Sequence, residues 1–399
     1  MILNRKNFMN IAIIGSGISA IMTAKIFLDY NCKVYLIDSE NIYDKQNTKV
    51  KKILKFNPNI RKSPKFNDQN LISSIQKFKK KYKIRTKNFF LASSLITGGL
   101  TNFWGAGLEI PDKNYFKRYS FGKSLMKEQK YLDKELKINR DRFTFFDYFF
   151  KQKIIKDMLK KGNKSIFFSK FIPAIERYDK KILTIHDYNN LDLLSGKNKY
   201  VYNSKIQLFK LLKHKNFNYI PNTFIKDVNQ KKNKYKLITE DNKLLDISFK
   251  KLIISAGTIG STILVNRIFK SSEKYRIFHT PMLKLVYFTF TLPFKISSKI
   301  RFSLPLMKLN IQTKKGKFSG SFMCLNNISN YFIGVSKLNS FFTFFKKFIY
   351  VGNIFLPPHY SNTFMKINKD KTFIYSIYKF DKNKLIKYLK NKLNPLFLK

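Results

Sequence analysis

Cysteine, histidine and acidic side chains are scarce in this chain, and each scarcity removes a class of chemistry. The two cysteines, Cys32 and Cys324, stand far apart. They offer neither a disulfide framework nor a zinc-type pair, and a reducing compartment fits best. The four histidines, His186, His214, His279 and His359, never fall at metal-ligand spacing with each other or with cysteine, so no metal is expected. Apolar runs long enough to cross a bilayer are missing too. Ile11 to Leu28 comes nearest, but Lys25 lies inside it, Asp29 follows at once, and no small-residue cleavage site appears before the next apolar run. Gly/Ser linkers, Pro-rich linkers and internal repeats are absent.

What is present is apolar and basic. With 399 residues, 44% hydrophobic and 16% aromatic, the chain can fill the cores of two domains. Its 78 Lys and Arg against 24 Asp and Glu give a net charge of +54, the balance of a protein that meets polyanions. Lysine is spread along nearly the whole chain beside heavy use of Asn, Ile, Phe and Tyr, so the charge reads as a general bias and no specific nucleic-acid partner is expected. The densest run, Lys77 to Arg85, reads as a solvated helix or loop face.

One stretch carries a mechanism. Asn10 to Glu40 holds an apolar run ending in Gly15-Ser16-Gly17-Ile18-Ser19-Ala20, a helix-like segment, and then Val34-Tyr35-Leu36-Ile37-Asp38. Gly15 permits a tight turn after a strand, Gly17 lets backbone approach a pyrophosphate, and Ala20 lets helix and sheet pack closely. The helix N-terminus then faces the phosphates. Asp38, about 20 residues on, stands where a carboxylate accepts hydrogen bonds from ribose hydroxyls and repels a 2′-phosphate.

Beyond this unit, residues 41–70 read as a long polar excursion with Pro58 and Pro64, and Leu91 to Pro111 packs glycines among large apolar groups and the only tryptophan, Trp104. Asp112 to Lys164 is helical and amphipathic. From Ser204 the chain predicts a helix (Gln207 to His214), a strand at Tyr219, another over Phe224 to Val228, alternating strands through Tyr235, Leu237, Leu244 and Ile247, and a buried strand ending at Ala256-Gly257. A helix over Ile259 to Ile268 follows. Beyond Thr280 the segments Val286 to Leu292, Phe318 to Phe322, Tyr331 to Val335 and Phe373 to Tyr378 read as antiparallel strands, with a basic amphipathic helix over Lys382 to Leu393.

Three separated pieces together resemble the FAD-dependent glucose-methanol-choline (GMC) oxidoreductases. They are the N-terminal unit, Thr97-Gly98-Gly99-Leu100-Thr101-Asn102-Phe103-Trp104-Gly105-Ala106-Gly107, and Ser255-Ala256-Gly257-Thr258-Ile259-Gly260-Ser261-Thr262. The second piece looks most like that of pyranose-oxidase-like members and of bacterial homologues in saccharide biosynthesis. The resemblance covers about 100 residues in three blocks in the expected order and spacing, and that order is far more specific than any block alone. It implies that Gly98, Gly99 and Gly105 wall one face of the flavin, that Thr101, Asn102 and backbone N–H groups are its donors, that Trp104 stands beside it, and that backbone at Val228 holds the adenine. Some relatives tether FAD through a histidine where this chain has Phe103, so FAD is expected to be non-covalent. The third piece departs from the family: Thr262 replaces proline or serine, and Asn266-Arg267 replaces Ser-Gly at the helix end.

The expected fold is α/β, with a Rossmann-like FAD-binding domain (a parallel sheet with helices and a small antiparallel insert) over 1–130 and 195–275. An α+β substrate domain with an antiparallel sheet occupies 131–194 and 276–399. The resemblance implies oxidation of a CH–OH group, of an alcohol or sugar substrate, and leaves oxygen, a quinone or another protein open as electron acceptor. Such chemistry needs a base, in this superfamily a histidine of a C-terminal block. That block is not found, and the substrate domain reads as C-terminally incomplete. His359 is the candidate for the base. Two alternatives stay open: a truncated, split or inactive homologue that binds FAD only, and a peripheral membrane-surface protein. The latter would dock Phe341 to Tyr350 on anionic lipid. The expected location is cytoplasmic, with contact at the inner membrane face in the latter case.

Overall fold

Asn10-Ile11-Ala12-Ile13-Ile14 is apolar at alternate positions of both parities because both faces of its strand are covered. The computed structural model describes residues 9–43, 69–104, 107, 120–124, 128, 165–169, 174, 201–231, 234–245, 247–269, 273–288, 307–313, 316–324, 345, 349–368 and 371–397. Its first half contains β1 (Asn10–Ile14), α1 (Ile18–Asp29), β2 (Lys33–Ile37), α2 (Gln69–Lys81), β3 (Ile84–Lys87), β4 (Ile166–Ser169), α3 (Ser204–Leu211), β5 (Phe217–Ile220), β6 (Ile225–Lys231) and β7 (Lys234–Thr239). Then come β8 (Lys251–Ile254), α4 (Gly257–Phe269), β9 (Lys274–Ile277), β10 (Met282–Phe288), β11 (Met307–Thr313), β12 (Gly316–Cys324), β13 (Ile349–Phe355), β14 (Ser361–Asn368), β15 (Lys371–Tyr378) and α5 (Lys382–Phe397).

The first sheet is parallel throughout, in the order β5-β2-β1-β8. Ile11 and Ile13 face α1 and α3, packing with Ala20, Ala24, Leu28 and Leu208. Ala12 and Ile14 face the opposite layer, where Ile225, Val228 and Leu237 of the β6-β7 ribbon, Phe249 before β8 and Leu264 of α4 close the core. A sheet buried on both faces explains the near-continuous apolar runs of β1 and β2. Because β2 and β8 flank β1 on opposite sides, the chain reverses its winding there, and the crevice at the strand ends is where open α/β sheets place ligands.

Two further sheets complete the expected α/β plus α+β architecture. The five-stranded sheet β10-β13-β12-β11-β4 is antiparallel, and Leu283, Leu285, Leu309, Ile311 and Ile354 bury one face against Leu385, Leu389 and Leu393 of α5. The mixed sheet β3-β15-β14-β9 pairs β3 with β15 in parallel and the rest antiparallel. Its core joins Met365, Ile367 and Ile374 to Phe78 and Tyr82 of the α2 region and to Ile259 and Ile263 of α4.

Local differences from the sequence expectations have local causes. α3 starts at Ser204 because Asn203 caps it, its side chain accepting from the Lys205 N–H at 2.8 Å. α4 runs through Asn266-Arg267 to Phe269: Arg267 Nη1 donates to the Lys226 carbonyl at 2.7 Å, and the Tyr275 hydroxyl donates to Asn266 Oδ1 at 2.6 Å. Leu244 and Phe249 make single bridges to β7 instead of a full third strand. The strand expected over Tyr331 to Val335, the helical stretch through Leu132, Leu136, Phe146 and Phe149, and Phe341 to Phe344 lie outside the described residues. Among the described residues no helix is long and apolar enough to cross a membrane.

Candidate dinucleotide-binding site

The turn between β1 and α1 sits directly on the end of β8. Gly15 has φ +104°, and a Cβ there would lie 2.5 Å from the Ser255 carbonyl oxygen, so only glycine fits. Its N–H donates to the Ile37 carbonyl at 2.8 Å, tying the turn to β2 as well. Gly17 is the residue preceding α1, in extended conformation, and no side chain caps the helix. A Cβ on Gly17 would meet nothing within 4 Å. The first N–H groups of α1, with no acidic residue in the first turn, therefore open on a space that suits an anion.

A second loop approaches the first, backbone to backbone. Gly99 has φ +60°, and a Cβ on it would come within 3.3 Å of Gly17 Cα. Gly98 donates its N–H to Ser16 Oγ at 2.8 Å. The loop is shaped from within by the side chains that the resemblance assigns to the flavin. Thr101 Oγ1 donates to the Gly98 carbonyl at 2.6 Å and accepts the Ser204 N–H at 3.0 Å. Asn102 Nδ2 donates to the Thr97 and Gly99 carbonyls at 3.0 and 2.9 Å. Trp104 Nε1 donates to the Tyr202 carbonyl at 3.1 Å while its ring lines the cavity. Phe103 points the other way, into a buried cluster with Leu71, Ile75 and Ile96.

Asp38 is 4% exposed at the end of β2. Oδ1 accepts the Ser39 N–H at 2.9 Å, whereas Oδ2 is buried without a partner. Burial pushes the carboxyl up to about 6, against the opposing pull of the Ser16 and Thr97 hydroxyls beside it and of the Ser39 N–H. Thr97 Oγ1 is itself buried and without a hydrogen-bond partner. A buried carboxylate oxygen left unpaired is costly, and a diol placed against it would supply the missing donor.

These groups line one cavity of about 800 Å³, at the upper end of the range of ligand pockets. Of the residues expected from sequence, Gly15, Ser16, Gly17, Ile18, Ser19, Asp38, Gly99, Thr101, Trp104, Ala256 and Gly257 line it. Ala20 is buried between helix and sheet, Gly98 and Asn102 stand one layer back, and Gly105 lies outside the described residues. Val228 packs in the core behind β2, three positions beyond Ile225, and the wall on that side is Thr223, Phe224 and Ile225.

Other lining residues were not expected one by one, although the first of them fall in the Leu91 to Pro111 stretch. Leu91 to Ile96 form a strap, pinned by Ser74 of α2, whose Oγ accepts the Leu95 and Ile96 N–H groups at 2.8 and 3.2 Å. Ile277, the last residue of β9, and Phe278 and His279 after it line it too. His359 does not. It lies in the single turn Pro358–Tyr360, against the Tyr360 ring. His214 accepts the Asn216 N–H in the turn before β5, and His186 is outside the described residues. No cluster of three or more His, Cys, Asp or Glu side chains placed for a metal occurs among the described residues.

Sheet order, glycine turn and buried acid define a Rossmann-like protein whose fold suits nucleotide binding. No protein-family profile and no curated protein sequence matches the chain. Among solved structures it is similar to tetracycline destructase Tet(51), at 8% identity over 98% of this chain and 64% of that one, with a TM-score of 0.29. It is also similar to a fungal aryl-alcohol oxidase, at 11% identity over 73% of this chain and 55% of that one, with a TM-score of 0.38. The chain thus spans less than two thirds of either, and superpositions this loose add nothing to the fold read from the sheet order.

Proposed function

We propose that the chain is a flavoprotein oxidoreductase that holds FAD non-covalently and acts on the CH–OH group of an alcohol or sugar. The unpartnered Asp38 Oδ2, beside the uncapped N-terminus of α1 in one large cavity, carries the reading. Gly15, Gly17 and the first turn of α1 would take the pyrophosphate, Asp38 the adenosine ribose, and Thr223 to Ile225 the adenine side. Gly99, Ala256 and Gly257 offer surfaces without bulky side chains for the flavin half. The cradle fits the group: Gly15 and Gly99 have positive φ where a side chain would clash, and an acid stands where a ribose needs an acceptor.

Bound there, the flavin supplies a two-electron acceptor for the hydride of a carbinol carbon. The chain's own residues bind and enclose. The Leu91 to Ile96 strap walls one side of the cavity, and Phe103, turned into the core, gives no covalent attachment at the position where some GMC relatives have one. Purified protein should carry flavin, released into the supernatant on acid denaturation. Flavin bleaching by a panel of alcohols and sugars under anaerobic conditions tests the activity. Protein that binds no flavin, with FAD supplied, would refute the reading, and flavin that no donor bleaches would leave an FAD-binding homologue without chemistry.

A further inference from the structure

The cavity contains a histidine that no motif announces. His279 Nδ1 lies 2.8 Å from Thr363 Oγ1 and 3.3 Å from Ser361 Oγ, and Thr363 Oγ1 lies 2.7 Å from Ser376 Oγ. All three hydroxyls are buried, at 0% to 4% exposure, on adjacent strands β14 and β15. The ring is fixed from another side by Phe89, edge-on at 5.4 Å and 85°. Nε2 has no hydrogen-bond partner among the described residues. A histidine oriented through one nitrogen and bare at the other, on the wall of a cavity, is built to meet a ligand.

The surroundings say what kind of ligand. Phe89, Phe90, Leu91 and Phe278 line the same cavity, and Phe278 and Phe90 are 72% and 41% exposed. Exposed aromatics at a cavity rim recognise an apolar body. Hydroxyls donate or accept, so Thr363 can take the Nδ1–H while donating to Ser376, which leaves the Nε2 lone pair free as an acceptor.

We propose that His279 accepts the hydroxyl proton of a substrate whose apolar, ring-bearing body lies against Phe89, Phe90 and Phe278. The assignment rests on the flavin reading only for its redox half. The O–H proton passes to Nε2, the carbinol carbon loses hydride with its electron pair to the oxidised flavin, and the C–O bond becomes a carbonyl. The imidazolium then donates from both nitrogens, Nδ1 to Thr363. Burial holds the ring's pKa below the ordinary histidine value, so it stands neutral and ready to accept at pH 7. Ser361 and Thr363 of β14 and Phe89 of the loop after β3 lie against the ring, with Ser376 of β15 behind Thr363, and on β9 the Arg276 guanidinium stacks on the Phe278 ring at 4.9 Å and donates to Asn362 Oδ1 at 3.3 Å.

The test uses two probes of nearly equal shape, benzyl alcohol and benzyl methyl ether, which lacks the O–H. Trp104, the only tryptophan, lines the cavity and reports binding by its fluorescence. The wild-type full chain should bind the alcohol about three- to tenfold more tightly than the ether at pH 7, as one net hydrogen bond allows. His279→Leu should bring the two affinities together while keeping ether binding and flavin content. In the wild type the preference should also collapse as pH falls well below the ordinary histidine value of about 6.5, an arm that stands if the variant fails to fold. With flavin bound, anaerobic bleaching by benzyl alcohol should slow at least 100-fold in His279→Leu. An equal preference in wild type and variant, a preference unchanged by acid, or no saturable binding to the wild type overturns the proposal. Flavin content is read separately, so protein that lacks flavin but prefers the alcohol defeats the flavin reading and spares this one.

Discussion

With Oδ2 buried and unpaired, Asp38 sets folding against ligand binding. Its carboxyl titrates near 3.8 when free and near 6 in the fold, so between these values the folded chain holds a proton that the unfolded chain has lost. Stability of the ligand-free protein therefore falls as pH rises from about 4 to 6 and stays low above, by roughly 3 kcal/mol. Thermal melts should give a higher Tm at pH 5 than at pH 7, and Asp38→Asn should raise the pH 7 value and flatten the profile. The same variant should weaken FAD by about 10- to 100-fold, the worth of a hydrogen bond to a charged group, measured by calorimetry. Gly15→Ala meets both a positive φ and the Ser255 carbonyl, and should cost about 2–4 kcal/mol in urea denaturation, with loss of bound flavin.

At the level of elements, helices position what the loops present. Ser74 fixes the strap from α2, and Ser74→Ala strands the Leu95 N–H and leaves the Ile96 N–H to Ser94 Oγ, at a cost of about 1–3 kcal/mol. Hydrogen exchange should quicken at those two amides more than in β1. Leu389, fully buried between α5 and the antiparallel sheet, should cost about 2–5 kcal/mol as alanine, seen as a lowered Tm. The parallel sheet was legible because β1, β2 and β8 are apolar on both faces, and Asp38 because it follows one such run at a fixed spacing. β3 and β9 were not: Ile84-Arg85-Thr86-Lys87 and Lys274-Tyr275-Arg276-Ile277 bury few side chains, and their pairing with β15 and β14 is set by the distant strands. His279 went unread for the same reason, since Thr363 and Ser376 reach it only through that sheet. Thr101 and Asn102 were legible as a motif, but whether a side chain faces ligand or its own loop depends on backbone curvature that spacing does not encode.

For the whole molecule, a net charge of +54 on 399 residues demands counterions. Adsorption to cation-exchange resin or to any polyanion should be strong at low salt and weaken steeply as salt rises, irrespective of sequence or ligand. Among the described residues Lys77 with Glu40, Lys81 with Glu240 and Lys243 with Asp241 are surface contacts worth little stability, so salt should alter adsorption far more than Tm.

The parallel pairing of β1 with β8 has a consequence for how the chain is made. Ile14 and Ile254 become neighbours only after the ribosome has delivered the long stretch of chain between them. Until then one flank of the most apolar strand has no mate, and the glycine turn lacks the Ser255 carbonyl it rests on. Closing so long a loop is slow, and an unpaired apolar strand edge is a template for aggregation meanwhile. Heterologous synthesis should thus yield soluble protein chiefly where growth is cool or chaperones are abundant, and flavin uptake should be among the last events of folding.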